Sequence, residues 1–162
     1  MPRVIVNSTP LLSLGNIGKL DILHLMYNKI VIPEAVKKEV LEKRDLASQS
    51  ILVSDWIDVE TISNPADYEM YRSRLHAGEV EVMILVQQNP RADLVILDDM
   101  AARKTAEYLG LKLTGTIGVL IKAKQIGIIT AVMPIINELE CKGFFVSGQV
   151  KKMIAVKTNE DY

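Results

Sequence analysis

The residues that could do chemistry in this chain are carboxylates placed where a carboxylate needs a reason, since solvated acids are common and buried ones are not. On a helix beginning near His76, the positions four before and three, four and seven after Glu79 are Leu75, Val82, Met83 and Val86, all apolar. Glu79 therefore stands in the middle of an apolar stripe. Glu81 points about 160° away, at ~100° per residue, and is expected in solvent. After Pro33, Glu39 falls angularly between Ala35 and Val36 on the face that also carries Val40. Glu34 lies opposite, where a negative charge at a helix N-terminus is explanation enough. Asp98 and Asp99 follow the apolar run Leu94 to Leu97 and precede the helical run Met100 to Leu109. One of them can cap that helix, which leaves the other over. An isolated ionised carboxylate in a dry core costs roughly several kcal/mol, so Glu39, Glu79 and an Asp brought together are most simply explained by a bound cation. Oxygen donors without clustered His or Cys favour Mg²⁺ or Mn²⁺ over zinc.

Neutral polar residues stand at equivalent places. Asn7, Ser8 and Thr9 follow the first apolar run, and Thr114, Gly115 and Thr116 follow the last, where Thr116 can serve as N-cap of a helix Ile117 to Ile126. His24 and His76 have no metal-ligand partner at helical spacing. Trp56 and the tyrosines are not interleaved with basic residues as an RNA-stacking platform would require. Cys141 is the one cysteine. It excludes an intramolecular disulfide, suits a reducing compartment, and is expected as a small buried hydrophobe.

The elements that must position these residues are short apolar runs alternating with helical periodicity, the mark of βαβ units and a mainly parallel sheet. Strands are predicted at Val4 to Val6, Ile30 to Ile32, Leu94 to Leu97 and Leu111 to Thr114, with Asp55 to Ile62 as a further strand or extended stretch. The first four are short apolar runs with little alternation, as in a sheet covered on both faces. Pro33 suits a first helical turn, and Gly110, Gly127 and Gly143 suit left-handed C-terminal caps, which supports five or more helices. Asn64-Pro65-Ala66-Asp67 reads as a turn starting a helix toward Leu75. In such a sheet the strand-to-helix junctions are where ligands bind. The chain has 162 residues, enough for one core, and the expectation is a single domain over 1–155 with a disordered tail over 156–162. With 49% hydrophobic and 24% charged residues and a formal net charge of −1, the composition is that of a globular protein. Any nucleic-acid contact must then come from a local basic patch. No apolar run approaches the ~20 residues of a membrane span, and no secretory signal is visible, so a cytoplasmic location is expected.

Five segments in this order resemble a prokaryotic branch of PIN-related domains, similar to VapC-type toxin ribonucleases, over nearly the whole chain. They are Val-Ile-Val-Asn-Ser-Thr-Pro-Leu-Leu-Ser-Leu, Val-Ile-Pro-Glu-Ala-Val-Lys-Lys-Glu-Val, His-Ala-Gly-Glu-Val-Glu, Leu-Asp-Asp-Met-Ala-Ala-Arg and Gly-Leu-Lys-Leu-Thr-Gly-Thr-Ile-Gly. The resemblance implies a three-layer α/β/α fold around a mainly parallel sheet. It also implies a metal-dependent ribonuclease, with Mg²⁺ or Mn²⁺ held by acids from the end of the first strand, the helix after the second strand, a later helix and the end of a later strand. Matched place by place, these are Asn7, Glu39, Glu79 and Asp98 or Asp99. Asn7 departs from the family, which usually has Asp there. Ser8 and Thr116 would orient a ligand, water or phosphate, and Arg103 and Lys104 would contact RNA backbone. Single-stranded RNA, a small antitoxin protein and a homodimeric partner are the implied partners. Asn7 also leaves open a catalytically weakened binding module on the same fold. A receiver-like phosphoacceptor fits worse, because the first strand ends in Asn7-Ser8 rather than in adjacent acids.

Overall fold

The computed structural model describes residues 3–62, 77–88, 94–108, 110 and 112–161. Five short strands form one sheet: β1 (Val4–Val6), β2 (Ile30–Pro33), β3 (Ile57–Glu60), β4 (Leu94–Ile96) and β5 (Lys112–Thr114). Every pairing is parallel and the spatial order is β3-β2-β1-β4-β5. A parallel pair needs a crossover between its strands. The helices supply these: α1 (Ser8–Gly15), α2 (Asp21–Tyr27), α3 (Glu34–Glu42), α4 (Leu46–Leu52), α5 (Ala77–Gln88), α6 (Met100–Tyr108), α7 (Thr116–Gln125), α8 (Met133–Cys141) and α9 (Gly148–Thr158). The result is the expected α/β/α arrangement. β1, β2 and the inner residues of β4 are buried throughout, which is why they read as continuous apolar runs.

Register decides what meets what. Val6 lies opposite Ile96, and Ile96 opposite Thr114. Because the strands are parallel, Asn7, Asp98 and Thr116 all emerge at the same edge, together with the start of α3 after Pro33. The chain order reverses between β1 and β4, so the crevice of a doubly wound sheet opens there.

One hydrophobic core joins the sheet to the helices, with Ile5, Leu11, Leu23, Ile32, Met83, Ile96 and Leu120 fully enclosed. Gly15 permits the close crossing of α1 and α4, since a Cβ there would stand 2.5 Å from the Cβ of Ala47. α4 is opened by a capping box in which Asp45 and Ser48 satisfy each other's backbone N–H. Burial alone would raise the Asp45 pKa. The Ser48 N–H, the Asn16 amide and the Ser48 hydroxyl outweigh it, and the net displacement is downward.

Several boundaries differ from expectation. Pro33 closes β2 and precedes the helix rather than lying in its first turn. The run Leu94 to Leu97 contributes Leu94–Ile96 as β4, with the Leu97 N–H still donating to Thr114 O at 2.9 Å, and the stretch Asp55 to Ile62 contributes only Ile57–Glu60 as an edge strand. The N-cap of α7 is Gly115, with Thr116 as its first residue. Gly110, Gly127 and Gly143 do adopt positive φ. Cys141 is exposed rather than buried, because Met133, Ile135, Ile136 and Leu139 take the inward face of α8. Residues 156–161, expected as tail, continue the fold. Thr158 ends α9, and the Glu160 carboxylate accepts from the backbone N–H of Val132 and Met133 and from Lys124 Nζ, so the chain end caps α8. The predicted turn at Asn64 to Asp67 and the residues Leu75, His76, Leu109 and Leu111 lie outside the described residues.

Candidate functional site

Asn7 occupies the first position beyond β1. Its backbone N–H donates to Ile96 O at 2.9 Å, which continues the β1–β4 ladder past the last paired strand residues. Its φ of −80° and ψ of 171° place it as N-cap of α1, yet the side chain makes no capping hydrogen bond. The residue is 2% exposed, and Oδ1 is buried with no hydrogen-bond partner. A buried acceptor left unpaired costs about 1–3 kcal/mol, so this oxygen calls for an explanation.

Glu39 comes to Asn7 from α3. Its Oε2 accepts from Ser8 Oγ at 2.9 Å, joining the residue after Asn7 to the helix that follows β2. Gly78, the second residue of α5, closes the group. A Cβ built on Gly78 would stand 3.2 Å from Glu39 Oε2 and 3.6 Å from Asn7 Oδ1. The two oxygens thus flank one point. Beside it opens a groove of about 1030 Å³ between α3 and the start of α5, lined by Lys37, Lys38, Glu39, Arg44, Gly78 and Glu81 among others.

Glu79, the next residue of α5, is 6% exposed, while Val82, Met83 and Val86 around it are buried. Val80, Ile84 and Leu85 are buried as well, so α5 is enclosed on nearly every side rather than along one stripe. That overturns the solvent position expected of Glu81. Glu81 is half-buried, and its Oε1 accepts the backbone N–H of Ala35 at 3.1 Å, which satisfies an orphan donor in the first turn of α3.

The two adjacent aspartates divide their work. Asp99 is exposed, and its Oδ1 accepts the Ala102 N–H at 2.9 Å, the ordinary N-cap of α6. Asp98 turns to the neighbouring strand. Its Oδ1 accepts from Thr116 N at 2.9 Å and its Oδ2 from Thr116 Oγ1 at 2.6 Å, with Thr116 completely enclosed. Arg103, half-buried, donates from Nη1 to Leu97 O at 3.1 Å and so braces the end of β4. Lys104 is exposed. Elsewhere His24 stacks on Trp56 at 5.0 Å between ring centroids, a packing role. His76 lies outside the described residues.

The donor set suits a hard divalent cation. Mg²⁺ keeps several waters and is commonly held through one or two carboxylates, and the orphaned Asn7 amide oxygen beside the Glu39 carboxylate offers such a pair. Among the described residues no three Asp, Glu, His or Cys side chains are gathered as a metal-holding group. Asp98 is engaged with Thr116, and Asp99 with its helix. The sequence reading missed Gly78 and the tie from Glu81. A glycine directly ahead of a buried glutamate, in a helix otherwise of bulky residues, is the signal that could have marked Gly78 as a place of close approach.

None of the described helices is long and apolar enough to cross a membrane. No curated relative matches the chain. The family model DUF3368, described as a PIN domain, matches residues 3–160, which include every residue of the site. PIN domains have a nuclease-type fold and are generally dependent on divalent metal. A parallel five-stranded sheet with polar residues gathered at one end of its strands, matched from Arg3 to Glu160, places this chain in the PIN-domain family.

Proposed function

We propose that this protein is a metal-dependent ribonuclease of low intrinsic activity that cuts single-stranded RNA, in the manner of a VapC-type toxin restrained by a small antitoxin protein. The observation that carries the reading is the buried Asn7 Oδ1, without a partner, lying with Glu39 Oε2 beside Gly78. These two oxygens are the inner donors for Mg²⁺ or Mn²⁺. Glu79 adds buried negative charge one residue beyond Gly78, and Asp98 stands across the crevice, two residues beyond the end of β4. When bound, such an ion lowers the pKa of a coordinated water and stabilises charge on the phosphodiester. Ser8 holds Glu39 in place. Thr116 does the same for Asp98. Lys37, Lys38 and Arg44 along the groove offer cationic contacts for RNA phosphates, interspersed with the acids Glu34, Glu42 and Glu81 that line it as well. Arg103 and Lys104 stand on α6 beyond Asp98 for further contact with the RNA backbone. The reading includes a cytoplasmic location and a homodimer.

The test is cleavage of an end-labelled single-stranded RNA in Mn²⁺ and in Mg²⁺, with Glu39→Gln as the control for contaminating nuclease. Slow cleavage that Glu39→Gln abolishes supports the reading. RNA retained intact but bound favours a second reading, a weakened RNA-binding module, for which the neutral amide at position 7 is the specific observation. If RNA is neither cut nor bound, both are wrong.

A further inference from the structure

The contact between α3 and α5 is unusually close where the site lies, and Gly78 is the reason. A Cβ on Gly78 would meet Val36 Cγ2 at 3.1 Å and Glu39 Oε2 at 3.2 Å. Both are tighter than ordinary van der Waals contact, yet neither neighbour is backbone. Of the two, Glu39 Oε2 is the end of a flexible side chain and yields more readily than Val36, which is fully buried. Ser8 Oγ holds that same oxygen at 2.9 Å. Close by, Glu81 Oε1 accepts the Ala35 N–H and fastens the start of α3 to α5.

We infer that Gly78 is a positioning residue. Its missing side chain leaves the room in which Glu39 Oε2 stands against Ser8 and beside Asn7 Oδ1, and Glu81 keeps the two helices at that spacing. Gly78 itself touches no ligand. Its effect passes through Glu39, so a methyl group there displaces the carboxylate sideways at little cost to the core. The inference rests on the metal-site reading above for its functional consequence, but not for its structural one.

The experiment compares wild type with Gly78→Ala, Ser8→Ala and the double variant, each by thermal unfolding without metal and by calorimetric titration with Mn²⁺ alone. Gly78→Ala should remain folded with a small fall in Tm and lose at least about tenfold in Mn²⁺ affinity, which on the scale of tenfold per 1.4 kcal/mol is a modest displacement of one donor. Ser8→Ala should lower Tm in the wild-type background and leave the Tm of Gly78→Ala unchanged, since the bond it removes is already broken there. Should Gly78→Ala fail to fold, the pair Gly78→Ala/Val36→Ala relieves the second contact and should fold while still binding Mn²⁺ weakly. Additive effects of Ser8→Ala and Gly78→Ala on Tm overturn the inference. So does Mn²⁺ binding by Gly78→Ala that equals wild type. If wild type itself binds no Mn²⁺, the metal-site reading fails, and the Tm cycle alone decides whether Gly78 positions Glu39.

Discussion

Asn7→Asp exchanges an amide for a carboxylate of nearly the same shape at a polar position of the site that is only 2% exposed, and its consequences have opposite signs with and without metal. Asn7 Oδ1 and Glu39 Oε2 lie 3.6 and 3.2 Å from one point, so two like charges there are separated by no more than about 7 Å. At ~6 Å and an effective dielectric of ~20, their repulsion is about 3 kcal/mol. Burial at 2% exposure adds a desolvation cost to the new carboxylate. The apo variant should therefore lose about 2–4 kcal/mol, which for a domain of this size lowers Tm by roughly 5–12 °C. The same charge attracts a divalent ion. A net gain of about 1.5–3 kcal/mol corresponds to about ten- to a hundredfold tighter Mn²⁺ binding. Saturating Mn²⁺ should then restore most of the lost stability, since a ligand at a hundred times its Kd contributes about 2.7 kcal/mol. The assay is differential scanning calorimetry of both proteins across a Mn²⁺ series, paired with RNA cleavage. An Asn7→Asp protein whose Tm matches wild type without metal, and which binds Mn²⁺ no more tightly, would show that position 7 does not face Glu39 across a cation site.

Three further outcomes are expected. Glu79→Gln keeps the shape of a side chain that is 6% exposed and removes its charge. Its Mn²⁺ affinity, measured by calorimetry, should fall at least about tenfold, and unchanged affinity in the folded protein removes Glu79 from the site. Asp99→Ala should cost about 1 kcal/mol through loss of the α6 cap and leave Mn²⁺ binding intact, whereas Asp98→Ala should weaken it; the reverse pattern makes Asp99 the ligand. For Glu160, burial alone would raise the carboxyl pKa, but Lys124, the backbone N–H of Val132 and Met133, and Thr158 outweigh it and hold it at about 2. A lowered folded pKa contributes stability that is present above the unfolded value of 4.5 and disappears as pH falls toward 2. Full realisation would be about 3 kcal/mol. After solvent screening, about half of that should separate wild type from Glu160→Gln in urea unfolding at pH 7, and the difference should vanish near pH 2.

The parts of the fold that were legible in the sequence are those whose burial is continuous. β1, β2 and β4 announced themselves because a parallel strand covered on both faces has no polar residue to interrupt it. Asn7 and Asp98 could be placed at strand ends for the same reason, and parallel pairing then brought them to one edge without further information. α5 was harder. Its periodicity suggested one apolar stripe with Glu79 in it and Glu81 opposite, but Val80, Ile84 and Leu85 are buried too, and a helix enclosed on nearly every side has little solvent face to assign. The burial of Glu79 was thus reached by an argument that could not equally place Glu81, whose partner Ala35 lies 46 residues away. The end of the chain escaped for a similar reason. A short polar stretch carries no pattern of its own, and Glu160 is held by Lys124, Val132 and Met133, which only the tertiary structure brings near.

The asymmetry between the two halves of the site bears on how it would meet an ion. On the β4 side, both oxygens of Asp98 are already satisfied by Thr116, at 2.9 and 2.6 Å. A cation drawing on either oxygen must compete with a hydrogen bond in a buried setting, where such bonds to charged groups are worth about 1.5–3 kcal/mol. On the β1 side, Asn7 Oδ1 has no bond to give up, although Glu39 Oε2 already accepts from Ser8 and would share that oxygen. Coordination by Asn7 Oδ1 would cost little and would remove the penalty of an unpaired acceptor. On the proposed reading an ion would be held first by Asn7 and Glu39, and Asp98, already engaged with Thr116, would act at longer range through its charge. That division also makes the neutral residue at position 7 physically coherent. With Glu79 and Glu39 buried or half-buried nearby, a third carboxylate would strain the metal-free fold by about the 3 kcal/mol of repulsion estimated above. The amide keeps an oxygen at the same place while avoiding that charge, so on the proposed reading the protein would remain stable without metal and would bind it weakly.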